Sequence, residues 1–130
     1  MPCSGGHYNV YDPGCPARQV LDRLGDKWAL LVLDHLRGGE VRFNGLRQSI
    51  RGISQKVLSQ VLKRLERDGL VSRTVFATVP VTVVYALTPL GETLTETVAV
   101  LTHWAEANMA AIATAQADYD ARMEADLLPG

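Results

Sequence analysis

Between Ser54 and Gly69 the apolar residues Val57, Leu58, Val61, Leu62 and Leu65 recur at spacings of one, three and four, and two β-branched runs follow at once. Only an α-helix gathers that set on one side. At about 100° per residue the five fall within an arc of about 140°, while Lys56, Gln60, Lys63 and Arg67 lie opposite and Ser59 borders them. Ser54 is a natural N-cap, because its hydroxyl can accept from the first unpaired N–H groups, and Asp68-Gly69 closes the helix.

The segment 42–50 places Phe43, Leu46 and Ile50 on one face of a short helix of about two turns, with Asn44 as its candidate cap and Arg51-Gly52 as the break. Two helices joined by a short turn containing Gly form a helix-turn-helix. Residues 70–76 and 81–87 are β-branched and aromatic runs separated by 77–80, a hairpin signal. A hairpin directly behind a helix-turn-helix is the wing of a winged-helix domain. The expected fold class is therefore mainly α with a small β-hairpin wing (α+β), a winged helix-turn-helix.

Upstream, Cys15-Pro16 opens a helix with Pro at the first position, where its missing N–H costs nothing; Val20, Leu21 and Leu24 follow at helical spacing and Gly25 stops it. Asp26 caps a second helix. Its Trp28, Leu30, Leu31, Val32, Leu33 and Leu36 surround nearly the whole circumference, which predicts a central buried helix ending at Gly38-Gly39. The first fourteen residues, rich in Gly, Pro, Asn and Ser, read as a loosely ordered arm. Downstream, Thr88-Pro89 starts a helix carrying Leu94, Val98, Leu101, Ala105, Met109 and Ile112 at spacings of three and four. Neither Gly nor Pro interrupts 92–128, so this is one long helix or two. The expected organisation is an arm (1–14), a winged helix-turn-helix (15–88) and a C-terminal dimerisation helix or helices (89–130), with no repeat and no linker.

Charge is distributed unevenly along this frame. The whole chain has a net charge of −1, which taken alone argues against a nucleic-acid partner. Residues 42–73, however, carry eight basic groups against two acidic ones, net +6, whereas 74–130 carry only Arg122 against seven carboxylates, net −6. With residues 1–41 at net −1, the net positive charge is thus confined to the helix-turn-helix and the start of the strand that follows it. A solvated face in an ordinary domain shows mixed signs; here Glu66 and Asp68 come only at the far end of the helix. Lys and Arg can neutralise phosphate or reach guanine, and Gln and Ser can hydrogen-bond base edges, so the face suits a major groove. The expected DNA-binding residues are Arg42, Arg51, Ser54, Gln55, Lys56, Ser59, Gln60, Lys63, Arg67 and Arg73.

Other classes have less support. No Ser-His-Asp arrangement, Gly-rich phosphate cradle or acidic pair in an apolar setting suggests an enzyme. Two cysteines cannot build a disulfide framework. No signal-peptide pattern is present, and the longest apolar run, 28–33, is far too short to span a bilayer, so the chain reads as cytoplasmic with no membrane partner. Cys3, His7 and Cys15 are potential metal ligands, but their spacing fits no tight zinc motif; no metal or other cofactor is expected. His35 and His103 read as packed or surface histidines. A winged-helix module that binds protein rather than DNA, or a regulator answering to a small ligand or metal, remains the alternative class.

The ordered string Cys15-Pro16, Leu24-Gly25-Asp26-Lys27-Trp28, Arg42-Phe43-Asn44-Gly45-Leu46, Gly52-Ile53-Ser54-Gln55-Lys56-Val57-Leu58, Leu62 with Leu65-Glu66-Arg67-Asp68-Gly69-Leu70-Val71, and Val79-Pro80 to Tyr85-Ala86-Leu87-Thr88 resembles the HxlR family of bacterial winged-helix transcription regulators, within the MarR-like superfamily. The resemblance covers about residues 15 to 105. It implies a homodimer whose second helix-turn-helix helix reads DNA and which controls a neighbouring gene, often by repression. Asp26 stands where the family usually has Gly, and Gly45 where it usually has Glu, at about 1 kcal/mol of helix propensity relative to Ala. Val81, Thr82 and Val84 occupy wing positions where the family tends to carry Pro, a basic residue and Glu. A wing tip without Lys or Arg makes weak phosphate contacts.

A three-helix winged core of this size covers only part of the apolar stripes of the first and last helices, so the rest is expected to meet a second copy through Val20, Leu24, Leu94, Val98, Leu101, Trp104 and Met109. Two-fold symmetry then places the recognition helices roughly 34–36 Å apart, over an inverted-repeat operator. Cys15, at a helix start, feels the positive end of the peptide dipoles, which favours thiolate and reactivity toward oxidants or electrophiles. Several members of the resembled family sense thiol chemistry with a Cys at this place. Cys15 is thus the redox-sensing candidate, with Cys3 as a second thiol, and the expected partners are double-stranded operator DNA, a second copy, and an oxidant or small-molecule effector.

Overall fold

The structure, a computed structural model, describes residues 7–127. Its elements in chain order are α1 (Pro16–Leu24), α2 (Lys27–Leu36), β1 (Val41–Arg42), α3 (Phe43–Ser49), α4 (Gln55–Arg67), β2 (Val71–Phe76), β3 (Thr82–Leu87) and α5 (Pro89–Leu127). The winged helix-turn-helix is therefore present. The three strands form an antiparallel sheet in the order β1-β3-β2, with Val41 opposite Tyr85 on one edge and the β2–β3 register running from Val71–Leu87 to Phe76–Thr82 on the other.

Local chemistry sets most helix starts. Pro16 follows Cys15, which is the N-cap of α1 in extended conformation. The Asp26 carboxylate accepts from the Trp28 N–H at 3.0 Å, and the Ser54 hydroxyl oxygen accepts from the Val57 N–H at 3.1 Å. Thr88 caps α5 through the Gly91 N–H at 3.0 Å while its hydroxyl donates to the Gly69 carbonyl. A Cβ at Gly91 would collide with the Leu70 carbonyl, so this glycine lets the first turn of α5 close on the α4–β2 junction. The α3–α4 turn requires Gly52 at φ 89°, where an L side chain is strained.

One core joins Val32, Leu33 and Leu36 of α2, Leu46 of α3, Leu58, Val61, Leu62 and Leu65 of α4, and Val71 and Tyr85 of the sheet. Phe43 and Tyr85, with ring centroids 6.4 Å apart, tie the start of α3 to the base of the wing.

Three expectations need correction. The second helix is not buried all round: Ala29, Val32, Leu33 and Leu36 are inside, but Leu31 is 41% exposed because the core packs against one side of α2 only. Asn44 does not cap α3; it lies within the helix, and Arg42 is the extended N-cap because Val41–Arg42 pairs with β3. The described part of the arm is not loose. Asn9 and Asp12 accept from the N–H groups of Tyr11 and Gly14 at 3.0 Å each, forming Asx turns that carry the chain to Cys15, and Arg18 donates to the Tyr11 carbonyl at 3.2 Å.

The chain divides into two compact units, Met1–Val98 and Ala99–Gly130, the division falling within α5. Among the described residues no helix is long and apolar enough to cross a membrane.

Candidate nucleic-acid interface

The faces of α4 separate as the sequence pattern predicts. Leu58, Val61, Leu62 and Leu65 are buried and Val57 is half-buried, whereas Gln55, Lys56, Gln60, Lys63 and Arg67 are exposed and Ser59 is half-buried. The apolar side is spent on the core, so the cationic and amide side chains have nowhere to project but solvent. None of Lys56, Lys63, Arg67, Arg51 or Arg73 forms an ion pair among the described residues; the pairs present are Arg23–Asp68 and Arg37–Asp34. Uncompensated positive charge on a polar helix face is what a phosphate backbone is drawn to.

Ser54 is exposed and serves first as the cap of α4, its oxygen engaged by Val57 while its hydroxyl proton stays available. Arg51 lies exposed in the turn before it. Arg42 and Arg73 are not brought together. Arg42 stands in register with Val84 and Arg73 with Tyr85, so their side chains leave the sheet on opposite faces. Arg73 shares the face of Val71, Tyr85 and the core beneath α4; Arg42 belongs to the other. That division follows from pairing with β3, which the local sequence does not reveal.

The wing lies beside the helix face. A groove of about 760 Å³ is bounded by Ser59 of α4, by Glu40 and Arg42 ahead of α3, by Phe43 and Asn44 of α3, and by Pro80, Val81 and Val83 of the hairpin. At the wing tip the Thr78 hydroxyl meets the Pro80 carbonyl at 2.8 Å and the Thr82 hydroxyl at 2.9 Å. Thr82 is among the wing positions named from the sequence, whereas Thr78 is not, although two Thr flanking a Pro in a hairpin loop is a recognisable turn signal.

The dimerisation candidates differ in what they offer. Val98 is buried at 3% exposure, and Leu24 and Leu94 pack against the core of their own chain. Val20 is half-buried. In the second unit Leu101, Trp104 and Met109 remain exposed, Trp104 at 55%.

Cys15 is buried at 1% exposure, its sulfur accepts from the Asn9 N–H at 3.2 Å, and it is disulfide-bonded. At the start of α1 the structure therefore holds a buried disulfide sulfur in place of the expected thiol, with the Asn9 N–H against it. Cys3 lies outside the described residues, and so does any metal set that includes it.

The family model described as HxlR-like helix-turn-helix matches residues 23–113. YtfH of Escherichia coli strain K12, described as an uncharacterized HTH-type transcriptional regulator, is 45% identical over 101 residues, covering 78% of this chain and 80% of that protein. The solved structure of ytfH from Salmonella typhimurium superposes with a TM-score of 0.81 at 39% identity, over 85% of this chain and 98% of that one. The redox regulator HypR in its oxidized form gives a TM-score of 0.67 at 39% identity, over 72% of this chain and 97% of that one.

Proposed function

The chain belongs to the HxlR family of helix-turn-helix transcriptional regulators, a family of DNA-binding regulators and not of enzymes, and from that membership we propose a homodimer that reads an inverted-repeat operator with α4 and represses a neighbouring gene. The observation that carries this reading is the two-sided character of α4: four buried aliphatic side chains against an exposed row of Lys56, Gln60, Lys63 and Arg67. Lys63 and Arg67 supply phosphate contacts, and Lys56 and Gln60, nearer the N-terminus of α4, meet base edges. The second copy is held through Leu101, Trp104 and Met109, exposed apolar groups within three turns of one helix.

A second element of the proposal concerns Cys15. HypR is a redox regulator, and Cys15 of this chain is already disulfide-bonded at the N-cap of α1. Thiol–disulfide exchange at Cys15 is the regulatory input we assign, the two electrons and two protons of reduction coming from a dithiol reductant.

The test starts from genomic fragments selected on the purified protein and sequenced. Affinity for the recovered operator should fall with salt at a log–log slope of roughly −5 to −7, for about six to eight phosphate contacts. Lys56→Ala with Gln60→Ala should erase operator discrimination while sedimentation still reports a dimer. Binding that is absent at low salt, or flat in salt, overturns the operator reading in favour of a protein-binding winged helix.

A further inference from the structure

Lys27 lies outside the basic window, in the stretch 1–41 whose net charge is −1, so counting charges passes over it. It is the first residue of α2 and is exposed. Its ammonium stands 4.6 Å from the centroid of the Trp28 ring, a cation–π distance, and it forms no ion pair with a carboxylate among the described residues. The neighbouring Asp26 carboxylate is turned back onto the Trp28 N–H at 3.0 Å as the cap of α2. Trp28 is half-buried against the core, and the far edge of its indole lies against the α3–α4 turn: a Cβ placed on Gly52 would meet Trp28 Cη2 at 3.6 Å. One indole therefore separates the Lys27 ammonium from the turn that carries the exposed Arg51 and leads into the Ser54 cap of α4. Gly52, at φ 89°, gives that turn a shape other residues would strain to hold.

We propose that Lys27 is a phosphate-binding residue, holding the DNA strand that runs past the α3–α4 turn while α4 occupies the adjacent major groove. This rests on the operator reading above. A helix in the major groove is flanked by a phosphate backbone on each side, and the turn before its N-cap is the part of the chain next to one of them. Lysine acts there as a point charge on a flexible stem, and the Trp28 ring holds the ammonium beside that turn before the duplex arrives, which lowers the entropy lost on contact. The contact carries no sequence information. It sets the register and angle at which α4 enters the groove, from an element outside the helix-turn-helix.

Because Lys27 is exposed, Lys27→Gln and Lys27→Arg can be made in the full chain without disturbing the core. Two duplexes of equal length and composition serve as probes, one carrying the recovered operator and one its scrambled sequence. Lys27→Gln should weaken binding to both by the same factor, about fivefold for each copy bound at about 0.1 M salt, and should lower the log–log salt slope by roughly 0.9 for each copy. Lys27→Arg should keep the slope of wild type. An unchanged slope in Lys27→Gln overturns the proposal and leaves the α4 reading standing, whatever its melting midpoint, since a lysine that only braces Trp28 moves stability and not salt dependence. A loss confined to the operator duplex would make Lys27 a base-reading residue and overturn the phosphate contact. Wild type that binds neither duplex at low salt overturns both readings.

Discussion

The Asp68 carboxylate, at the C-cap of α4, accepts two hydrogen bonds from the Arg23 guanidinium in the last turn of α1, at 3.0 Å from Nε and 2.9 Å from Nη2. An acid at a helix C-terminus faces the negative end of the peptide dipoles and is unfavourable on its own. Arg23 reverses that sign, and both side chains are mostly out of solvent, at 30% and 13% exposure. The forked pair also ties the last turn of α1 to the C-terminal end of α4.

Arg23→Ala should lower the urea midpoint by an amount equivalent to about 1–2 kcal/mol, because it leaves a part-buried carboxylate at the wrong helix end. Adding Asp68→Ala should restore part of the loss. A double mutant as destabilised as the sum of the single ones would show that the pair contributes nothing as a pair.

Gly91→Ala should cost about 1–3 kcal/mol, since its Cβ would have to displace the Leu70 backbone beneath the start of α5. Gly38→Ala is the comparison, its added carbon meeting nothing nearer than the His35 carbonyl at 4.0 Å. Thermal melts of the two variants check the contrast, and equal midpoints would mean that α5 can lift away at no cost.

Arg73 and Arg42, both exposed and both reasonable phosphate ligands by sequence, should behave differently because they leave the sheet on opposite faces. Arg73→Ala should reduce the salt slope of operator binding by about 0.9 and Arg42→Ala should leave it unchanged. Equal reductions would require the duplex to reach both faces of the sheet.

Trp104→Glu should raise the dimer dissociation constant by a factor equivalent to about 2 kcal/mol or more, placing a charge on the largest exposed apolar group of the second unit. Sedimentation equilibrium measures it, and the melting temperature of the variant should lose its dependence on protein concentration. An unchanged dimer would locate the interface away from Trp104.

How much of this was legible follows from how local each cause is. Asp26, Ser54, Pro16 and Pro89 mark helix starts through hydrogen bonds and dihedrals within three residues, so their roles were readable from the sequence. The exposed row on α4 was readable for the same reason, because one helix fixes the directions of all its side chains. Asn44 misled because Arg42 is drawn into β1 by a strand more than forty positions away. Leu31 misled because composition cannot say which side of α2 the core occupies. The Asn9 and Asp12 turns were local and could have been read from their side chains, but the density of Gly and Pro around them suggested a loose arm.

Redox control through Cys15 should run along that same α1 connection. The turn from Asn9 to Cys15 is held by the Asn9 N–H on the sulfur and by Arg18 on the Tyr11 carbonyl, so a change of state at the sulfur acts on the residue that caps α1. Diamide-treated wild type should bind its operator at least about fivefold more weakly than dithiothreitol-treated wild type, the size of a modest coupling between sites. Cys15→Ser keeps a good N-cap and should bind identically after either treatment. Arg23→Ala should retain the thiol chemistry, read by thiol titration, yet show a smaller difference in DNA affinity, because the α1–α4 link is cut. A full response in Arg23→Ala would mean that the signal reaches α4 by another route, and a full response in Cys15→Ser would remove Cys15 from the mechanism.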